Sequence, residues 1–159
     1  IKNKEQHMTN RPSITQENIL LGAEKAAENI IYFDKVEANI TKLTNELVDV
    51  YNNNNGDLSS MSQNIIKLFG NIDEEKGMFI ANDIIEQIDA EHTALLRKWF
   101  KESYNGKVYY PKDVITLKYG IKYTILYTDR IHMRYAIQPA SGEIYINWVD
   151  FEDVPEQEA

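Results

Sequence analysis

The apolar residues of this chain change their period once, and that change fixes the class of fold it can adopt. From Ser13 to about Ser103 they recur every three or four positions, the spacing that lines one face of a helix. From Lys107 to Val149 they alternate, as in a strand with one buried face. Eight of the ten tyrosines fall between Tyr104 and Tyr145, where aromatic rings suit a pleated surface. The order predicts an α+β fold: three amino-terminal helices, the first one long, then a four-stranded antiparallel meander packed against them. The expected divisions are a flexible amino terminus over 1–12, a helical region over 13–106, a sheet region of the same domain over 107–150 and an acidic tail over 151–159.

Local signals place the elements. Ser13 with Gln16 has capping-box spacing, and from Ile19 to Val50 the apolar stripe runs unbroken. Between Ser13 and Tyr51 only Gly22 weakens a helix, by about 1 kcal/mol relative to alanine. One helix of up to about 40 residues, roughly 60 Å at 1.5 Å per residue, is longer than a globule of this size can cover. The Asn52–Asp57 run stops it. A second helix is expected from Leu58 to Phe69, closed by Gly70-Asn71, and a third from Asp73 to Ser103, breaking at Asn105-Gly106. In the sheet, Ile121, Tyr123, Ile125 and Tyr127 are expected on the face that also carries Ile131, Met133, Tyr135, Ile137 and Trp148. Three-residue loops at Lys118–Gly120 and Thr128–Arg130 would set that register.

Charge excludes some functions. The net charge is −8: residues 1–106 hold 11 Lys and Arg against 17 acids, 107–149 hold 6 against 3, and 150–159 hold five acids and no base. Such an excess argues against a nonspecific nucleic-acid binder, whose affinity comes mainly from neutralising phosphates. Cysteine is absent, which removes disulfides, thiolate metal sites and cysteine nucleophiles. No apolar run approaches the roughly 18 residues of a membrane span. The chain starts at Ile1 without an initiator methionine, so an upstream signal or anchor could have been lost, and the compartment stays open.

Chemistry-bearing groups are few. The outer sheet face is expected to present Lys122, His132, Arg134 and Tyr145, able to hold an anion or, with His132 as general acid, to act on RNA. In architecture, without a shared motif, that arrangement resembles small bacterial ribonuclease toxins, which imply an RNA-cleaving sheet face. A solvated face of ordinary charged residues is the plainer reading. Asp89 and His92 form one acid–histidine pair on a helix, where a helix-bundle metal site needs a second. The surplus stripe of the first helix, through Ile30 and Leu43, points to a helical partner or self-association.

The function expected is a non-enzymatic protein-interaction or assembly subunit, possible also as an acidic inhibitor of a basic partner, with no cofactor and no metal. Its contact residues would be Ile30, Leu43, Lys122, His132, Arg134 and Tyr145. The alternative is a small RNA- or nucleotide-directed enzyme using Arg134 and His132.

Overall fold

A computed structural model of the chain describes residues 10–104 and 107–157. It is α+β, with four helices and a four-stranded antiparallel sheet among the described residues. The helices are α1 (Gln16–Asp34), α2 (Ile40–Asn53), α3 (Leu58–Phe69) and α4 (Glu74–Ser103). The strands are β1 (Val114–Thr116), β2 (Lys122–Asp129), β3 (Arg134–Pro139) and β4 (Asn147–Asp150), in sheet order β1-β2-β3-β4. The chain divides into two compact units, 13–95 and 1–12 with 96–159, so the boundary falls inside α4. The expected break at Asn105-Gly106 lies outside the described residues.

In the helical unit the expected long first helix is two helices. Lys35 takes a left-handed conformation (φ 52°) and ends α1, and the Asn39 side chain accepts a hydrogen bond from the Lys42 amide to start α2. The reversal lets α1 and α2 bury their stripes in one shared core rather than along one exposed rod. Gln16 at the start of α1 meets Asn52 at the end of α2, which makes the pair antiparallel. The cap of α1 is Thr15, reciprocally bonded with Asn18 at 3.0 Å each way, two residues beyond the expected Ser13. The α3 bounds and the Asp73 cap of α4 fall where the sequence put them, with Gly70 left-handed after α3. The core of this unit is Ala23, Ala26, Ala27, Ile30, Leu43, Leu47, Met61, Ile65, Ile84 and Ile88, with their neighbours. Small residues on α1 allow a close approach: a Cβ at Gly22 would lie 2.6 Å from the Ile88 backbone on α4. Phe79 on α4, although apolar, is 68% exposed.

In the sheet unit the first hairpin has the expected register. The Leu117 amide donates to the Ile121 carbonyl at 2.9 Å, and Gly120 is left-handed (φ 75°). The second hairpin does not. Ile125 faces Ile137 and Tyr123 faces Pro139, whereas the three-residue loop expected at Thr128–Arg130 would pair them with Met133 and Tyr135, and the register shifts by one between Ile125 and Tyr127. That bulge turns the end of β2 over. Met133, Ile125, Tyr135 and Ile137 are buried, while Tyr127, Ile121, Ile131 and Trp148, all assigned to the core face by alternation, are between 49% and 56% exposed. Trp148 pairs with Ala136 on the outer face, and Val149 with Tyr135 on the inner one. Leu96 and Trp99 of α4 join the core with Phe151 and Val154. The acidic segment after β4 is therefore partly structural: Phe151–Asp153 form a 3-10 turn that buries Phe151. At Gln157 the side-chain amide accepts from the Thr116 amide and donates to the Thr116 carbonyl, at 2.6 and 3.0 Å, along the outer edge of β1.

Candidate functional site

The turn between β2 and β3 is organised by one carboxylate. Asp129 ends β2 with 7% of its surface exposed. Its Oδ1 accepts from the backbone amides of Ile131 and His132, at 3.0 and 3.1 Å, the side-chain-to-backbone pattern by which aspartate replaces a turn hydrogen bond. Its Oδ2 accepts from Arg134 Nε at 3.2 Å and lies 3.0 Å from His132 Nδ1. A four-residue turn held this way displaces the three-residue loop expected from spacing. Met133 closes it with φ 56°.

His132 and Arg134 therefore meet at one carboxylate, as neighbours in space. Arg134 continues outward and lays its guanidinium 4.0 Å over the indole of Trp148, a cation–π geometry. Trp148 is 49% and Tyr127 56% exposed, and both flank Ala136, which they cover to 6% exposure. On the turn's other side Arg11 donates to the His132 and Met133 carbonyls and grips Glu152 through two 2.8 Å bonds. The expected flexible amino terminus is thus held at Arg11, while residues 1–9 lie outside the described residues.

The other sequence candidates lie elsewhere. Lys122 begins β2, seven residues from Asp129, about 23 Å at 3.3 Å per residue. Tyr145 lies near Tyr123, towards that same end of the strand. Neither converges with His132 and Arg134. Ile30 and Leu43 are 4% and 5% exposed, interior to the helical unit, since the reversal at Lys35 removes the surplus stripe that made them contact candidates. Sequence reasoning missed Trp148 as a surface group and Arg11 altogether. The signal for Arg11 was its place directly before Pro12 at the end of the polar leader, and a lone arginine there carries little weight.

Electrostatics at the turn are set by Asp129. Burial pushes its carboxyl up, but hydrogen bonds from the His132 backbone and ring and from Arg134 outweigh this and hold it below its ordinary 3.8. A carboxyl depressed on folding contributes stability that is fully present above its unfolded value and is lost as pH falls through the folded one. Asp150 works in the opposite sense, raised by burial and by Glu152 and Asp153 against the pull of Arg11. We expect Asp129→Asn to lose part of the protein's destabilisation below about pH 4, read as a flatter melting-temperature profile between pH 5 and 2.5. An unchanged profile would place the acid sensitivity elsewhere.

Among the described residues no group of three or more histidines and acids is poised to hold a metal ion, and no helix is long and apolar enough to cross a membrane. No protein-family model matches the chain, nor does any curated protein or solved structure.

Proposed function

We propose that this protein is a non-enzymatic binding module that engages a protein partner through the outer face of its sheet, with Arg134 and Trp148 as anchors. The observation that carries this is the exposed stack of Arg134 on Trp148, beside Tyr127 and Ala136. Tryptophan, tyrosine and arginine are the residue types that dominate interface energetics. An arginine prefixed over an indole loses little freedom on binding. Beside the stack, β4 is an edge strand preceded by the exposed apolar residues Ile144 and Ile146, a place where an extended segment could add to the sheet.

The test is a titration of a captured partner against variants. Trp148→Ala should weaken binding about 30-fold, a loss of about 2 kcal/mol. Arg134→Ala should weaken it and flatten its salt dependence. Lys122→Ala, at the far end of β2, should change little. If neither Trp148→Ala nor Arg134→Ala alters the affinity, the sheet face is not the contact.

A second reading, an RNA-directed enzyme, is favoured by the fixed Asp129–His132 pair beside a cation, since a carboxylate on Nδ1 orients an imidazole for proton transfer. RNA cleavage by nuclease-free protein, abolished by His132→Ala, would establish it and overturn the binding module.

A further inference from the structure

The helical unit holds a second feature, independent of the sheet face. Its helices α1 and α4 run antiparallel and are joined by the Asn29–Asp83 hydrogen bond and the Asp34–Lys76 ion pair. Between these links lies a cleft of about 340 Å³. Its floor is Ile30 and Ile80, each 4% exposed, and its walls are the rings of Phe33 and Phe79, 72% and 68% exposed. Large aromatic side chains this open, on either side of an apolar floor, leave hydrocarbon surface in water that a ligand would cover.

The two carboxylates at the rim differ. Asp34 is paired with Lys76, whose ammonium also lies 5.3 Å from the Phe79 ring centre. Asp83 accepts from the side-chain amides of Asn29 and Gln87, at 3.1 Å each, and pairs with no cation among the described residues. It is a carboxylate aligned by neutral donors at the edge of an apolar slot. The unit around it is strongly acidic: residues 13–95 contain 5 Lys and no Arg against 15 Asp and Glu, a balance of −10.

We propose that this cleft binds a lysine or arginine side chain of a basic protein partner. The methylenes lie between Phe33 and Phe79 over Ile30 and Ile80, and the cationic head meets Asp83. Long basic side chains combine such a stem and head, and the contact Lys76 makes with Asp34 and Phe79 uses the same chemistry within the chain. The field of the surrounding acids raises the encounter rate with a cationic partner. A neutral aliphatic side chain would fill the slot but cover Asp83 without a counter-charge, which costs binding energy.

The experiment titrates the full chain with a fluorescent lysine-rich amphipathic peptide and with a control in which the central lysines are norleucine. Both are measured by anisotropy at two salt concentrations. Asp83→Asn and Phe79→Ala should each weaken the lysine peptide about tenfold, and Arg134→Ala should leave it unchanged. The norleucine control should bind at least tenfold more weakly to the wild type and be insensitive to Asp83→Asn. Phe79 is exposed, so its variant should keep the wild-type circular dichroism, which keeps the test valid if Asp83→Asn fails to fold. Equal affinity of wild type and Phe79→Ala for the lysine peptide would reduce the effect to diffuse attraction by a polyanion and overturn the proposal. Equal binding of both peptides to the wild type would make the cleft a plain apolar groove and overturn it too. A loss on Arg134→Ala equal to that on Phe79→Ala would move the peptide to the sheet face.

Discussion

Tyr135→Ala is expected to destabilise the sheet unit by about 3–5 kcal/mol, the range for deleting a large buried aromatic side chain. Tyr135 has no exposed surface, packs its ring 4.4 Å from that of Phe151, and accepts a hydrogen bond from the Tyr109 amide at 2.9 Å. Truncation removes the ring and strands a part-buried donor, which adds its own cost of about 1–3 kcal/mol where water cannot replace the partner. Burial pushes the phenol up to about 12, so the hydroxyl keeps its proton at working pH and the loss should not depend on pH across the neutral range. Trp148→Ala should cost about 1 kcal/mol or less, because half the indole already faces water. Urea denaturation of the two variants ranks them. Alternation along β4 places Trp148 in the core, so a larger loss at Trp148 would mean that β4 turns Trp148 rather than Val149 inward.

Gly22→Ala is expected to destabilise the helical unit by about 1–3 kcal/mol, the usual cost of overpacking. Helix propensity alone predicts a gain of about 1 kcal/mol from the same change, so the sign of the result separates the two effects. The new methyl would sit 2.6 Å from Cα and N of Ile88, and backbone in the middle of a helix cannot step aside as a side chain tip can. Either α1 tilts away from α4 or the Ala23 and Ala26 contacts open. A gain in melting temperature for Gly22→Ala would mean that the two helices pack less closely than described.

Much of this fold was legible wherever a residue stops an element by its own chemistry. Gly70 and Asp73 bracket a turn in the sequence as they do in space, and Gly120 marked the first hairpin. The reversal at Lys35 was not legible, because 34–39 contain neither glycine nor proline and Phe33 and Val36 happen to continue the helical spacing. Asn39 was the one clue, as a residue type that caps helices. Alternation could not reveal the bulge at Leu126, since an extra residue leaves the local pattern intact while changing which face the rest of its strand presents. The site suffered the same error. His132 and Arg134 were found as residues, but their meeting point is Asp129, a turn former whose side chain acts on backbone amides two and three positions on, and their aromatic platform sat on the strand whose faces were exchanged.

The two margins of the sheet are unlike. At β1 the Gln157 side chain imitates a strand, meeting both outward groups of Thr116 with one amide. At β4 no strand lies alongside among the described residues. A ribbon with one blocked and one vacant margin can join a second chain once, but cannot be extended from both sides into a fibre. Were two copies to meet along their vacant β4 margins, the pairing would be expected to stop at two, and Gln157→Ala would be the change expected to loosen the guard on the β1 margin.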